Sequence, residues 1–481
     1  MVDLIIKDGT VINHDVSVVA NVVIDKGKIT QITKNSKLPE AKRTIDAKGK
    51  WVLPGLVDTH DHMGLYVPGT YEKQLREETA AALCGGVTTL GQFLIDSPFI
   101  ESYMESISKY IDPIGKESYS NIFLVPVLGA VRHLTEIPEL VKLGMTNFKF
   151  FLHEKLAYAV SGSKGKEAIS EKGTEASSVF GLRGVDNGFL MEGMKIIKNN
   201  DAMTRIHAED IEISYFIQDQ FFGKEDPAAW PASKPEFAEE LDVLKCCAIA
   251  EHIQSPVYFV HFGHTRADKI VNEYRGRGNK VYAEAQIFLL LFNQTGDNCK
   301  YGPRGIKTNP SARTQEHVEF YWDFLKNDFF DVIATDMAPA EKTMKLGTDL
   351  WTATTGSNLT EVWFPVMVKL GVQERGVPIE KIVKLCCYNP AKYAGLFPEK
   401  GTIQPGSDAD ILIFDPKKKT TLSLDMLHTG LNYNLCEGWE FEGWPIYTIL
   451  GGTVAVENGK ILVQKGSGKY LPCKKFSERR I

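Results

Sequence analysis

At 481 residues the chain exceeds the size at which one hydrophobic core usually stops growing, so a large domain with a smaller companion is expected. Hydrophobic residues make up 43% and charged residues 24%, which excludes disorder as the default. The 55 basic and 61 acidic residues leave a formal charge of −6, so no basic field collects nucleic acid and the expected partner is a small molecule.

The N-terminus, Met1-Val2-Asp3-Leu4-Ile5-Ile6-Lys7, has no charged region followed by a long apolar core, and no apolar stretch reaches the roughly 18 residues that span a bilayer. No membrane segment is expected, and the protein is expected to be soluble and cytoplasmic. The first fifty residues then read as short strands: Leu4-Ile5-Ile6, Val11-Ile12, and Val22-Val23-Ile24 turning through Asp25-Lys26-Gly27-Lys28 into Ile29. An isolated hairpin cannot bury enough surface, so these strands need a partner sheet.

From about Val52 to Phe397 short apolar runs alternate with helical stretches. Ile122-Phe123-Leu124-Val125-Pro126-Val127, Asn147-Phe148-Lys149-Phe150-Phe151, Val257-Tyr258-Phe259-Val260 and Asp331-Val332-Ile333-Ala334 are examples. The rhythm indicates βα units around a buried parallel sheet, either doubly wound or closed into a barrel. Polar residues at the ends of these runs favour the closed (β/α)8 barrel. Beyond it, Ala409 to Phe414, Tyr447 to Leu450, and a hairpin from Val454 over Asn458-Gly459 into Ile461 supply the missing partner sheet. The expected organisation is a small β-sandwich from residues 1–52 and 398–481, and a barrel from 53–397.

Within the barrel, Val57-Asp58-Thr59-His60-Asp61-His62 sets two histidines two apart, on one face of a strand, where both imidazoles reach one metal. Lys149 stands among Phe148, Phe150 and Phe151, and a buried ammonium is expensive unless it is paired or changes its chemistry. Carbamylation by carbon dioxide converts it into an anionic, metal-bridging group; a lysine reaching the rim or pairing with an acid is the alternative. Ser161 to Ser178 is rich in Gly, Ser, Lys and Glu, and reads as either a solvated surface loop or a cover for the active site. His207, His261 and Asp336 each end or interrupt an apolar run, and in a barrel such positions converge on one mouth. His264 lies close to His261, but His261 directly terminates its strand. Eight cysteines, with doublets at Cys246-Cys247 and Cys386-Cys387, show no CxxC pair and read as reduced, buried apolar residues.

The series His-x-His, lysine, histidine, histidine, aspartate, each at an expected strand, resembles the amidohydrolase superfamily over nearly the whole chain. Pro54-Gly55-Leu56-Val57-Asp58-Thr59-His60, Gly69-Thr70-Tyr71, Ala81 to Thr89, His207-Ala208-Glu209-Asp210 and Gly466 to Pro472 resemble its dihydropyrimidinase and hydantoinase branch. Lys400-Gly401-Thr402-Ile403 with Gly406-Ser407-Asp408-Ala409-Asp410 is similar to a superfamily-wide signature. The resemblance implies two divalent metals, zinc first, with manganese or iron as alternatives. It places His60, His62 and Asp336 on one ion, His207 and His261 on the other, and carbamylated Lys149 between them. It implies opening of a cyclic amide by a metal-bridging hydroxide, with Asp336 passing the proton to the departing ring nitrogen. Asn309 and Thr355 match positions that contact substrate, and relatives suggest a homodimer or homotetramer.

The pattern breaks in two places. Where the branch carries a tyrosine that stabilises the oxyanion, five residues after the lysine, this chain has Glu154, preceded by His153; His153 or Tyr158 is the replacement donor to consider. Met337 stands where a histidine commonly follows the catalytic aspartate. These departures keep hydantoins, dihydropyrimidines, oxidised purines and allantoin-like ureides all open, with Glu154 accepting from ring N–H groups. A metal-free scaffold lacks several ligands, and all six are present here. A deaminase lacks the bridging lysine, and a phosphotriesterase-like protein fits the Gly406 to Asp410 signature poorly.

Overall fold

The structure is a computed structural model that describes residues 1–67, 69–95, 102–152, 185–263, 266–479 and 481. The chain begins with β1 (Val2–Ile12), β2 (Ser17–Asp25), β3 (Lys28–Thr33), β4 (Ala41–Asp46) and β5 (Trp51–Pro54). The two short runs read at the start, around Leu4 and Val11, are one strand. A register shift between Ile6 and Gly9, with Asp8 at φ 57°, separates them without ending the pairing to β2. Between β2 and β3, Lys26 (φ 50°) and Gly27 (φ 76°) take the left-handed conformation that a tight hairpin requires. β4 escaped the sequence reading because four of its six residues are exposed and no apolar alternation marks it.

Eight parallel strands follow: β6 (Leu56–Asp61), β7 (Val87–Leu94), β8 (Asn121–Pro126), β9 (Asn147–Phe151), β10 (Met203–His207), β11 (Val257–Phe259), β12 (Val281–Gln286) and β13 (Val332–Ala334). They form two arcs, β6 to β8 and β9 to β13. The arcs meet where Leu128 N–H donates to Lys149 O (2.8 Å) and His62 N–H to Met337 O (2.7 Å), so the sheet closes into a (β/α)8 barrel. Most of these strands are buried along their whole length, which is why they read as apolar runs.

The last strands, β14 (Ile411–Thr421), β15 (Glu440–Leu450), β16 (Thr453–Glu457) and β17 (Lys460–Ile461), return to the first five. β14 pairs antiparallel with β5, and β5 pairs parallel with β1, so the two termini weave one sheet. Leu4, Ile6, Val22, Val52, Ile411 and Ile449 from both halves share its core.

This sheet is fastened to the barrel by Asp410. Its carboxylate accepts from Lys400 Nζ (2.5 Å), the Asn121 side chain on β8 (3.3 Å) and Gly451 N–H (2.7 Å). Gly55, between β5 and β6, permits the close crossing, since a Cβ there would sit 2.2 Å from Thr88 Oγ1. All eight cysteines are unpaired and buried. Among the described residues no helix is long and apolar enough to cross a membrane. The stretch Ser161 to Ser178 lies outside the described residues.

Candidate metal centre

The C-terminal ends of five barrel strands deliver the polar side chains. His60 lies on β6 and His62 just past it; Lys149 is the third residue of β9, and His207 is the last of β10. His261 and Asp336 each stand two residues beyond β11 and β13, with φ of 34° and 50°. Residues other than glycine rarely hold that conformation, and here it turns the chain at the strand end. His62, His207, His261 and Asp336 line one cavity of about 140 Å³ at the mouth, and His60 and Lys149 are fully buried with them in the barrel.

His60 Nε2 is 3.1 Å from His62 Nε2 and 3.2 Å from Asp336 Oδ1, and His62 Nε2 is 3.3 Å from the same oxygen. An ion with bonds of roughly 2.0–2.2 Å in a tetrahedral shell separates its ligands by about 3.3 Å, so the triangle fits a metal. The imidazole of His60 is oriented from behind: its Nδ1 lies 2.7 Å from Glu284 Oε1. Donating Nδ1–H to that carboxylate leaves the Nε2 lone pair facing the triangle. The rings of His207 and His261 lie 4.2 Å apart between centroids, and His261 lies 5.3 Å from His60. Lys149 Nζ has no hydrogen-bond partner among the described residues and sits 4.6 Å from the Phe151 ring and 5.2 Å from Phe93.

Electrostatics suit these groups to ligation. Burial, and then nearby cations, hold His207 and His261 well below the ordinary imidazole pKa, so both rings are neutral, and His207 Nε2 lies 3.2 Å from Glu209 Oε2. Burial does the same to His60 against the opposing pull of Asp336. Burial brings the Lys149 amine down to about 7, so a large share is uncharged near neutral pH. Burial alone would raise Asp336, but His60, His62 and Lys149 outweigh it and keep the carboxyl below its usual range. Gln286 Nε2 donates to its other oxygen at 2.6 Å.

A second group of ligand-type atoms, from Cys84, Glu361 and His428, lies within 4.8 Å. There His428 Nδ1 is only 2.7 Å from Glu361 Oε1, and His428 N–H donates to Oε2 at 2.8 Å. Those are hydrogen-bond lengths, shorter than the edge of a metal shell, so this cluster is an ion pair.

Asn309 and Thr355 line the same cavity as the histidines. Asn309 Oδ1 is without a partner among the described residues, and Thr355 O accepts from Tyr66 OH at 2.7 Å. His153, Glu154, Tyr158 and His264 lie outside the described residues. Sequence reasoning missed Glu284, which also accepts from Thr59 Oγ1 (2.9 Å), Tyr258 OH (2.7 Å) and His261 N–H (3.2 Å). It also missed Asp58, which ties β6 to Thr335 N–H (3.1 Å) ahead of Asp336. The signal for Glu284 was present: a carboxylate inside Val281-Tyr282-Ala283-Glu284-Ala285-Gln286 is as conspicuous as Lys149 among phenylalanines.

A closed (β/α)8 barrel with histidines and an aspartate gathered at its C-terminal mouth is the architecture of a metal-dependent hydrolase. Residues 51–455 match the amidohydrolase family, and the chain belongs to it. It falls in the hydantoinase and dihydropyrimidinase-like branch. It is 28% identical to the D-hydantoinase of Ralstonia pickettii, over 99% of this chain and 100% of that one. It is also 28% identical to the L-hydantoinase of Paenarthrobacter aurescens, over 98% of each. A solved D-hydantoinase structure superposes with a TM-score of 0.86 at 27% identity, covering 98% of this chain and 99% of that one.

Proposed function

We propose that this chain is a cyclic amidohydrolase that opens a hydantoin, a dihydropyrimidine or a related nitrogen-rich ring at an amide C–N bond. The observation that carries the reading is the convergence of His60, His62, His207, His261 and Asp336 on one buried mouth, with an unpartnered amine, Lys149, among them.

His60, His62 and Asp336 would hold one ion, and His207 and His261 the other. Lys149 would bridge them as a carbamate: its uncharged Nζ attacks CO2, a C–N bond forms, and one proton leaves to solvent. Among these side chains Asp336 is the single carboxylate, and a carbamate supplies a second anion for two divalent ions. Zinc suits the mixed nitrogen and oxygen donors, and manganese or iron suits them too. When bound, such a pair of ions supplies a water activated near neutral pH and polarises the scissile carbonyl.

The chain's own groups do the rest. Asp336, kept ionised, accepts the proton of the attacking water and returns it to the departing ring nitrogen, while Gln286 holds its Oδ2. Asn309 Oδ1 accepts from a ring N–H, and the backbone at Thr355 contacts the ring from another side. Phe151 and Leu65 supply apolar wall and exclude bulk water. Eight unpaired cysteines support a reducing, cytoplasmic setting. Phe216, Phe222 and Phe237, which stay 52–76% exposed, support a homodimer or homotetramer.

Metal-replete protein is to be tested on both enantiomers of substituted hydantoins, dihydropyrimidines, dihydroorotate, allantoin and oxidised purines, following ring absorbance and acid release. Both enantiomers are needed because the chain is as similar to an L- as to a D-hydantoinase. The reading expects one ring class to open, with activity abolished by a chelator and restored by divalent metal. Failure on every cyclic amide, or turnover indifferent to chelation, contradicts it.

A further inference from the structure

Part of the cavity wall is irregular backbone, with Thr308 and Asn309 on one segment and Thr355 and Gly356 on another. Neither segment is in a helix or strand, so its carbonyls must be satisfied from elsewhere. One side chain serves both. Lys345, in the helix Lys342–Leu346, is fully buried, and its Nζ donates to Lys307 O (2.7 Å), Thr354 O (3.2 Å) and Gly356 O (2.7 Å). Burial pulls the Lys345 amine down to about 7; its ammonium form has three donors, and these three neutral carbonyls match them. Lys307 Nζ adds a further tie, to Trp351 O (3.1 Å) and Ala353 O (2.7 Å).

Burying a cation against neutral dipoles is costly, and a well-packed apolar side chain would give a more stable protein. The position of Lys345 supplies a reason to keep it. In a trans peptide the N–H points away from the C=O. Holding the carbonyls of Lys307 and Thr354 on the ammonium therefore turns the next amides, those of Thr308 and Thr355, to the opposite side. Both residues line the cavity, and neither amide has an acceptor among the described residues. A cation on the carbonyl also polarises the peptide and strengthens its N–H as a donor.

We propose that Lys345 is a positioning residue that aims the backbone amides of Thr308 and Thr355 at two carbonyl oxygens of the ring. Asn309 Oδ1, next to Thr308 on the first segment, adds an acceptor for a ring N–H. This deepens the cyclic amidohydrolase reading and rests on it.

The test is Lys345→Met, which keeps the volume and removes the donors, with Lys345→Gln as a milder variant that keeps two donors. KM for the ring that wild type opens is expected to rise about tenfold or more in Lys345→Met, with kcat within about threefold and metal content unchanged; Lys345→Gln falls between. A role in stability alone would lower the melting temperature and leave KM within about twofold, which overturns the proposal. Hydrogen exchange gives an answer without turnover. Peptides spanning 305–312 and 352–358 exchange faster in either variant, while those over β6 and β10 do not. Unchanged exchange in both segments also overturns the proposal. A wild type that opens no ring contradicts the cyclic amidohydrolase reading, and the exchange pattern still decides whether Lys345 holds the two segments.

Discussion

Glu284 acts on the site without facing the cavity. Fully buried on β12, it fixes the tautomer of His60, anchors the backbone at His261, and is itself held by Thr59 and Tyr258. A carboxylate behind a ligating imidazole raises its basicity and locks its ring orientation. Glu284→Gln retains the shape but presents an amide that can equally donate to His60 Nδ1 and favour the wrong tautomer. The expected result is a loss of about 10–100-fold in metal affinity with an unchanged circular dichroism spectrum, read by competition with a chromophoric chelator. Wild-type affinity in this variant would show that His60 needs no partner behind it. Lys149 and Glu284 illustrate one rule: a charged residue fully buried in an apolar barrel strand needs a specific partner or task, as Arg205 on β10 does in donating to Thr59 O. That rule made Lys149 legible from the chain alone. It would have found Glu284 as well, had the run Val281 to Gln286 been read as a strand.

At the scale of elements, the barrel was legible because its strands are buried on both faces, and short apolar runs can mean little else at that spacing. The spacing of His60 and His62 carried the face they share. The turns at His261 and Asp336 were not legible, since nothing in either residue type announces a positive φ. β4 was invisible because an exposed, polar strand has no hydrophobic period, and the loop wall at Thr308 and Thr355 depends on a lysine some ten to forty residues distant. A testable case at this scale is the ion pair between His428 and Glu361, which joins the loop after β14 to the segment Thr360–Val362. The hydrogen bond to Glu361 raises His428 above its ordinary value, and burial raises Glu361. A raised imidazole pKa contributes stability that is complete below its unfolded value of 6.5 and lost as pH rises through the folded value. His428→Asn is therefore expected to be less stable than wild type by about 1 kcal/mol near pH 6, with the gap narrowing towards about pH 8. Thermal unfolding at the two pH values checks this; a gap that widens with pH contradicts the pairing.

For the whole molecule, one barrel and one woven sheet divide the work. The sheet gathers both termini and is fastened through Asp410 to Asn121 on β8, away from the mouth where β6, β9, β10, β11 and β13 bring the candidate ligands together. The account stands on Lys149 serving as a bridging anion for two ions, and the most direct measurement is metal stoichiometry with activity in Lys149→Ala. Wild type is expected to hold about two divalent ions per chain, and the variant to lose metal and at least about 10³-fold in kcat. Adding a short-chain carboxylate with metal is expected to restore part of both, because it supplies the missing bridge. A Lys149→Ala protein that keeps two ions and full activity would contradict the account.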